Sequence, residues 1–351
     1  MNKGLKMSDW KQAYKGKTVL ITGCCGTVGA MLIKQLMVLE PKAIKGIDNV
    51  EEQLYYQQLE YRAEPRFSCK FADIKSLQQL TRCFEGVDIV IHAAALKQVP
   101  ICEEVPDAAV DTNIAGVQNV IHAANANKVE RVLFTSSDKA VNPTNVMGTS
   151  KLMGERLITA ANVSSANSTT IFASTRFGNI AGSRGSVMPI FHQQIKQGAN
   201  ITLTSEHMTR FMMTNETACR LVLQSCAISQ GGEVFVTKMS VISIKQLAEV
   251  MRRRLAPVYG RNPEDIKIEI VGPRPGEKDY EELTTQEEIR RTKEGDNLLV
   301  ILPAYSAVYG TFYYDYPFNL RPAKQEYNSN TRTLISDQAL AALFDEIELP
   351  R

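Results

Sequence analysis

A glycine-rich turn between an apolar run and a helical pattern constrains the fold more than any other feature of this chain. Residues 17–21 are typical of a buried strand, and the pattern Gly-x-x-Gly-x-x-Gly follows them directly. The first two glycines allow a tight turn and a close approach to a pyrophosphate, the third allows close packing of helix on strand, and the helix N-terminus favours an anion. A purely structural turn is the alternative, but this context favours a dinucleotide site. Its candidate residues are Gly23, Gly26, Thr27, Val28 and Gly29.

Strand and helix patterns alternate as far as residue 185, which predicts a parallel sheet with helices on both faces. Beyond that point the pattern loosens and indicates a smaller mixed lobe. The predicted strands are 17–21, 43–48, 67–73, 87–95, 131–137, 169–176, 201–204, 234–237, 266–271 and 297–303. The clearest predicted helices are 108–124, 146–161, 187–197, 216–227, 244–255 and 336–344.

The predicted fold class is therefore α/β, with a Rossmann-type doubly wound parallel sheet and a smaller mixed α/β C-terminal lobe. We assign the dinucleotide-binding domain to residues 1–185, including a polar N-terminal arm at 1–16, and the substrate lobe to 186–351. The second lobe ends in a latch-like segment, and some of its pieces are expected to return to the first domain. A Tyr-rich loop at 305–316 could cover the site.

The composition excludes several classes of function. With 351 residues, 44% hydrophobic content and a net charge of +2, the chain suits an ordinary globular protein and offers no concentrated basic face for nucleic acid. Its seven cysteines follow no metal-ligand spacing, so we predict no metal site. Residues 1–17 are polar and the apolar runs are interrupted, which predicts no signal peptide, no membrane span and a cytoplasmic location.

Acidic residues close the second and third predicted strands. Asp48 lies about twenty residues after the glycines, where a carboxylate can accept hydrogen bonds from the adenosine ribose. No arginine follows at once, so NAD is favoured over NADP; capping of the next turn is the alternative role for Asp48. Asp73 and Ile74 are candidates near the adenine, although Asp73 can also simply cap the helix that follows. Ala93 and Ala94 supply a wall of small residues beside the cofactor.

The candidate chemistry lies at the end of the strand over 131–137. Ser137, Asp138 and Lys139 stand there, and Met147 and Lys151 follow on the next helix. The spacing resembles the active site of short-chain dehydrogenases, Ser/Thr followed by Tyr-x-x-x-Lys, with Met147 at the tyrosine position. Since methionine cannot carry a proton, the acid and base must come from elsewhere, and Asp138 and Lys139 are the candidates. A solvated strand-end pair, with Met147 an ordinary core residue, is the alternative.

Further segments extend this resemblance through 17–283. The chain is similar to extended short-chain dehydrogenases/reductases and, among them, to the polysaccharide-biosynthesis branch of UDP-N-acetylglucosamine 4,6-dehydratases, in a short form with methionine replacing the active-site tyrosine. The resemblance implies oxidation of sugar C4 by NAD, elimination of water across C5 and C6, and return of the hydride to C6. It rests on the segments 22–29, 92–100, 112–114, 137–151, 176–179, 208–211 and 274–278.

The proton transfers of that reaction can be assigned to the same strand end. Lys151 should hydrogen-bond the nicotinamide ribose, and the proton acceptor at C4 is Ser137, Lys151 through water, or Asp138. Lys139 is the predicted base at C5, which requires its pKa to be lowered by burial and by neighbouring Lys151. Asp138 is the predicted acid at C6, which requires a protonated carboxyl group in an apolar site.

The resemblance also supplies candidates for binding. Lys97 and Asn113 join the cofactor set, although Lys97 is equally suited to the sugar, to a phosphate or to a plain surface position. Arg210 and Arg274 present guanidinium forks that suit a diphosphate or uridine. The candidate substrate-binding residues are Lys97, Asn179, Arg184, Val187, Thr202, Arg210, Arg274 and Glu277.

The prediction is thus an NAD-dependent lyase for a UDP-N-acetylhexosamine, serving surface glycan synthesis and forming a homo-oligomer. A UDP-N-acetylhexosamine 4-epimerase on the same fold is the first alternative, because it recycles NAD without an elimination pair. A non-catalytic NAD-binding sensor is the second, because Met147 is silent in proton transfer. The configuration at C5 stays open.

Overall fold

The computed structural model describes residues 10–164, 169–183, 185–304, 314–316 and 318–347. Its strands are β1 Thr18–Thr22, β2 Ala43–Asp48, β3 Phe67–Phe71, β4 Ile89–His92, β5 Arg131–Ser137, β6 Ile171–Phe177, β7 Asn179–Ile180, β8 Ile201–Leu203, β9 Thr209–Met213, β10 Val234–Thr237, β11 Ser240–Ser243, β12 Ile268–Ile270, β13 Thr292–Glu294, β14 Leu298–Ile301 and β15 Arg321–Pro322. Its helices are α1 Thr27–Met37, α2 Glu51–Glu60, α3 Leu77–Cys83, α4 Val99–Glu104, α5 Pro106–Ala109, α6 Gly116–Ala126, α7 Val146–Ser164, α8 Val187–Gln197, α9 Asn215–Ile228, α10 Ile244–Leu255, α11 Gln286–Ile289 and α12 Asp337–Asp345.

Ten strands of these described ranges form one sheet, in the order β15-β13-β14-β10-β6-β5-β4-β1-β2-β3. Neighbouring strands from β3 to β10 are parallel, whereas β14, β13 and β15 continue the sheet in antiparallel fashion. The order reverses between β1 and β4, which is where doubly wound sheets open a crevice for ligands at the carboxyl ends of their strands. The predicted Rossmann-type fold class is confirmed.

Alternating residues of the central strands build the two hydrophobic layers. Val19 and Ile21 of β1 pack with α1 and α9 on one face, while Leu20 packs with α3, α6 and α7 on the other. This alternation follows from the strand geometry, in which successive side chains point to opposite faces. Each fully buried aliphatic side chain of this kind contributes about 1.5–3 kcal/mol. The sheet is therefore covered on both sides, and its strand ends remain for the site.

The second half of the chain is divided between two places. β10, β13, β14 and β15 join the main sheet, as described above, whereas β7, β9 and β11 form a separate three-stranded sheet and β8 pairs with β12. α8, α10 and α12 pack around these smaller sheets in their own hydrophobic cluster. The domain boundary at 185/186 stays a prediction. Beyond it, the chain returns to the main sheet with β10 and again with β13, β14 and β15.

The predicted helix over 108–124 is helical but not continuous. α5 ends at Ala109, a π-helical stretch covers Val110–Ala115, and α6 begins at Gly116. Wider turns of this kind are common at functional sites. Here the π-helical stretch carries Asn113, whose buried amide exchanges hydrogen bonds with the backbone of Leu96 and donates to Ser150 Oγ.

The two ends of the described chain pack on the core. Trp10–Tyr14, within the predicted polar arm, is a 3-10 helix with both aromatic rings buried, and the Tyr14 hydroxyl donates to Leu223 O on α9 at 2.6 Å. The predicted terminal helix at 336–344 is α12, with Ser336 as its N-cap. Of the predicted Tyr-rich loop, only Tyr314–Tyr316 falls within the described residues. None of the described helices combines the length and apolar character needed to cross a bilayer.

Candidate active site

A cavity of about 1030 Å³ lies at the carboxyl ends of the parallel strands and extends to the smaller sheets, where β8 and β9 line it. Its volume is at the upper end of the usual range for small-molecule sites. The predicted residues that line it are Gly23, Gly26, Thr27, Val28, Gly29, Asp48, Asp73, Ile74, Ala93, Ala94, Lys97, Ser137, Lys139, Met147, Lys151, Asn179, Val187, Thr202, Arg210, Arg274 and Glu277. Asp138 and Asn113 lie just behind the wall, and Arg184 is outside the described residues.

The glycine-rich turn packs against its neighbours too closely to admit side chains at Gly23 and Gly29. Gly23 has φ +71°, and a Cβ there would lie 2.8 Å from Ala94 Cα. A Cβ on Gly29 would lie 2.2 Å from Gly23 O, so α1 can pack on the turn only with glycine at this position. Gly26 caps α1 without a side chain, which leaves first-turn N–H groups available to an anion. These residues fit the pyrophosphate of a dinucleotide.

Asp48 fills its alternative role of capping the next turn, whereas the helix after Asp73, α3, has Ser76 and not Asp73 as its N-cap. Asp48 Oδ2 accepts from Cys25 N at 3.0 Å, and its Oδ1 accepts from Asn49 N and Val50 N. Asp73 Oδ1 accepts from Lys75 N. A carboxylate oxygen has a second lone pair, so each side chain can still accept from a ribose or adenine donor in the cavity.

One possible metal-binding group lies beside this turn. Among the described residues, the sulfurs of Cys24 and Cys25 and a carboxylate oxygen of Asp48 lie within 4.8 Å of one another. Thiolates and carboxylates prefer different metals, and both oxygens of Asp48 already accept backbone hydrogen bonds. The expectation of no metal site stays a prediction.

The strand end at β5 gathers the predicted catalytic groups. Asp138 Oδ1 accepts three hydrogen bonds, from Ser137 Oγ at 2.6 Å, from Lys139 N at 2.8 Å and from Lys139 Nζ at 3.1 Å. A 3-10 turn at Asp138–Ala140 makes this possible, because it lets adjacent side chains point the same way. Asp138 is buried, and its Oδ2 has no hydrogen-bond partner among the described residues.

Lys139 extends from this turn to the cavity wall, where 26% of its side chain is exposed. Its Nζ also lies 3.3 Å from Glu281 Oε1 and 3.5 Å from Asn179 Oδ1. Burial lowers the pKa of Lys139, but the carboxylates of Asp138 and Glu281 raise it more, so the pKa lies above its ordinary value. The predicted lowering of this pKa was wrong, because no local pattern indicated that Glu281 would lie opposite Lys139.

Lys151 is the lysine with the lowered pKa. Its Nζ donates to Thr135 O at 3.0 Å and lies 4.7 Å from the centre of the Phe134 ring. Burial lowers the pKa of Lys151 to about 8, against an opposing effect of Glu155. Near neutral pH a useful fraction of this amine is uncharged, so it can accept a proton.

Met147 serves both as core and as cavity wall. The side chain is 3% exposed, packs against Cys102 and Ala109, and lines the cavity one helical turn before Lys151. Met147 is therefore both a core residue of α7 and the residue that stands in the cavity at the tyrosine position, where it offers no hydroxyl group.

His92 supports the wall of small residues. Thr22 Oγ1 accepts from Ala93 N and Ala94 N at 3.2 Å, so its own proton is directed to His92 Nδ1 at 2.6 Å. Burial, with a smaller effect of Lys151, lowers the pKa of His92 to about 3. The ring is thus neutral and holds Thr22 in place; it is a packing residue.

Among the predicted substrate-binding residues, Arg210 uses most of its donors in contacts within the protein. Its guanidinium donates to the carbonyls of Thr209, Lys278 and Asp279, and its Nε lies 3.6 Å from Glu281 Oε1. Little of its donor capacity is left for a ligand. Its contacts instead fix the segment that carries Glu281.

The other substrate candidates differ in how much they can offer a ligand. Arg274 is exposed and lines the cavity, which suits a charged ligand better than the buried Arg210. Glu277 Oε2 accepts from Arg274 N at 3.2 Å. Thr202 Oγ1 accepts from Gln194 Nε2 at 2.9 Å.

A buried ion cluster ties the segment after Glu281 to the main sheet. Arg176 at the end of β6 donates to both oxygens of Glu155 and both oxygens of Glu288, and also to Leu283 O. All three charged side chains are at most 3% exposed. Arg176 belongs to one of the segments on which the family resemblance rests, but nothing in the spacing indicated its partners.

Comparison with known proteins places this chain in a family. The family described as polysaccharide biosynthesis protein matches residues 19–303. An uncharacterized membrane protein of Methanocaldococcus jannaschii is 45% identical over 295 residues, 84% of this chain and 88% of that protein. A UDP-glucose 4-epimerase of Rickettsia bellii is 37% identical over 288 residues, 81% of this chain and 82% of that protein.

A solved structure extends the likeness to nearly the whole chain. The X-ray structure of Pen from Bacillus thuringiensis is 40% identical, with a TM-score of 0.88, and covers 96% of this chain and 99% of that one. Together with the Rossmann-type sheet and the cavity at its switch point, these matches show that the chain belongs to the polysaccharide biosynthesis protein family.

Proposed function

We propose that the chain is an NAD-dependent UDP-N-acetylglucosamine 4,6-dehydratase, which forms a UDP-4-keto-6-deoxy-N-acetylhexosamine for surface glycan synthesis in the cytoplasm. The observation that carries the proposal is Lys139, held at the cavity wall with a carboxylate on either side. Elimination across C5 and C6 needs a base and an acid at one sugar, and this cluster can supply both.

The cofactor end supports NAD. The glycine-rich turn, the Ala93–Ala94 wall and Asp48 together fit a dinucleotide, and Asn49, Val50 and Glu51 bring no cation for a 2′-phosphate. When bound, NAD would supply the hydride acceptor for C4 and the donor for C6. Lys151 would hold the nicotinamide ribose and, with its pKa lowered to about 8, would accept the proton of the C4 hydroxyl in place of the missing tyrosine.

The proton balance of the elimination can be closed within the Lys139–Asp138 pair. In the resting state Lys139 is an ammonium ion, so one N–H bond must first break and its proton pass to Asp138, whose Oδ1 lies 3.1 Å away. The amine then takes the C5 proton, the C5–H electron pair forms the C5=C6 double bond, and the C6–O pair leaves with the oxygen. That oxygen takes the proton from Asp138 and departs as water.

The competing function is a UDP-sugar 4-epimerase. The Rickettsia bellii relative, named UDP-glucose 4-epimerase, is the observation that favours it. An epimerase would oxidise and reduce C4 only, and would have no use for a base–acid pair aimed at C5 and C6.

Incubation with UDP-N-acetylglucosamine in heavy water separates the alternatives. We expect loss of one water by mass spectrometry and solvent deuterium at C5 by NMR in the wild type. The Lys139→Ala variant should retain NAD but lose C5 exchange, while Lys245→Ala, which removes an exposed surface ion pair, should behave as the wild type. Unchanged product mass with inversion at C4 would establish the epimerase instead, and failure of any nucleotide-sugar to reduce the bound cofactor would leave a sensor.

A further inference from the structure

Glu281 is a buried carboxylate at the cavity wall to which the sequence assigned no role. It is 2% exposed, and its backbone is fixed on both sides: Glu281 N donates to Ser329 Oγ at 2.9 Å and Ser329 N donates to Glu281 O at 2.8 Å. Its Oε1 lies between two cations, 3.3 Å from Lys139 Nζ and 3.6 Å from Arg210 Nε. Its Oε2 has no hydrogen-bond partner among the described residues.

The surroundings of Lys139 suit an ammonium ion. A protonated lysine has three N–H donors, and three oxygens lie near Nζ, from Asp138 at 3.1 Å, Glu281 at 3.3 Å and Asn179 at 3.5 Å. An uncharged amine would turn its lone pair towards one of these oxygens. The charged groups that act on Lys139 are the carboxylates of Asp138 and Glu281 and the more distant cation of Arg210.

Of the two carboxylates, Glu281 is the one held independently of Lys139. Asp138 is the preceding residue and moves with the same turn, whereas Glu281 is anchored by Ser329 and lies on a segment that Arg210 and Arg176 fix. Burial raises the pKa of Glu281, against the opposing effect of Lys139. In its ionised form this fixed carboxylate, 3.3 Å from Nζ, defines where the amino group stands and makes departure of its proton to solvent unfavourable.

We propose that Glu281 is a positioning residue that keeps the proton of the Lys139–Asp138 pair inside the reaction centre. Its carboxylate holds the ammonium group at the cavity wall and opposes loss of the proton to solvent, so that the pair enters elimination with one proton to pass to the departing oxygen. The catalytic use of that proton rests on the proposed function, but the electrostatic effect on Lys139 does not.

The direct test is titration of Lys139 in the protein without added substrate. The Lys139 side chain is 26% exposed at the cavity wall. The rate at which acetic anhydride labels it, followed by mass spectrometry against pH, reports the fraction of free amine. In Glu281→Gln, which keeps size and a hydrogen-bond acceptor but removes the charge, we expect the labelling curve of Lys139 to move about 1–3 pH units lower. Glu294→Gln, which breaks the ion pair with Lys238 away from the cavity, should leave the curve unchanged.

Activity provides the second measurement. If the wild type dehydrates UDP-N-acetylglucosamine, the fall of kcat at alkaline pH should move to lower pH in Glu281→Gln by the same amount, and Glu281→Asp should move it less. An unchanged labelling curve in a folded Glu281→Gln would overturn the proposal, whatever the activity. A wild type that releases no water would overturn the proposed function, while the labelling curve would still decide the role of Glu281.

Discussion

Lys139 and Lys151 stand at the same cavity but carry opposite pKa shifts, and the difference comes from their neighbours. Lys151 meets a backbone carbonyl and an aromatic ring, which do not offset burial of its charge. Lys139 meets two carboxylates, which do. The helix spacing predicts where Lys151 lies, but the second partner of Lys139 comes from a segment more than a hundred residues away. A charge state of this kind therefore cannot be obtained from a local motif.

The lowered pKa of Lys151 predicts a pH-dependent stability. Burial makes protonation of this amine unfavourable in the folded state. The resulting loss of unfolding free energy is complete below pH 8 and disappears as the pH rises from about 8 to 10.5, the ordinary pKa of lysine. Over that range the wild type should gain about 3 kcal/mol of unfolding free energy relative to Lys151→Met. Urea denaturation of the cofactor-free proteins at pH 7 to 10 measures the difference.

The comparison between variants removes the effect of other groups that titrate in the same range. Lys238→Met, at a half-buried lysine paired with Glu294, should show the wild-type pH dependence. Equal slopes for the wild type and Lys151→Met would mean that Lys151 titrates as in the unfolded chain.

At the scale of elements, segments with a clear local apolar pattern were predicted well. The strands β2, β5 and β10 and the helices α8 and α10 begin and end at the predicted residues. Such elements bury their own local pattern, so sequence alone defines them. β7, β9, β11 and β13 were missed, because they are short and mix polar with apolar residues. β7, β9 and β11 also depend on pairing with strands about thirty residues away in the chain.

The same distinction applies to the site. The glycine-rich turn, Lys151 and the turn at Ser137–Lys139 follow from local spacing, and the structure brings them to the same cavity. Glu281 and the partners of Arg176 were not predicted, because the contacts that give them meaning join segments far apart in the chain. Tertiary electrostatics was the missing information.

The junction of α7 with the strand-end turn depends on one glycine. A Cβ on Gly148 would lie 2.2 Å from Lys139 O, so α7 can approach the turn this closely only without a side chain. Alanine favours helices more than glycine does, so α7 itself would not weaken in Gly148→Ala. Instead the backbone of Lys139 must move away from the new methyl group. A displacement of about 1 Å at a reacting group costs about a hundredfold in kcat.

Steady-state dehydration of UDP-N-acetylglucosamine would measure this loss, with cofactor affinity measured in parallel. Thr149→Ala, at the next and exposed position of the helix, is the matched control and should keep its activity. We expect cofactor affinity to change less than turnover in Gly148→Ala, since the glycine-rich turn is not touched. Turnover within about twofold of the wild type would show that the contact does not position Lys139.

At the scale of the whole molecule, the return of the chain to the main sheet frames the cavity. β10 pairs with β6 on one side and with β14 on the other, so strands from the second half of the chain form part of the main sheet. Arg176 adds a charged junction between β6, α7 and α11, and also bonds a carbonyl in the segment before α11. The cavity wall that carries Glu281 is therefore fixed to the Rossmann sheet by both strand pairing and ion pairing.

That junction predicts a large and asymmetric response to mutation. Arg176→Met removes the cation that Glu155 and Glu288 share and leaves Glu288 only the longer contact with Arg291, at 3.9 Å. Breaking a buried pair in this way costs about 3–5 kcal/mol. Neutralising both partners as well, in Arg176→Met/Glu155→Gln/Glu288→Gln, should recover most of the loss, because no charge is then left unpaired. Urea denaturation at pH 7 measures both, with Arg253→Met as control at an exposed ion pair with Asp337 that should change the free energy of unfolding by about 1 kcal/mol or less. If the triple variant is no more stable than Arg176→Met, the cluster stabilises the molecule through packing of the arginine rather than through its charge.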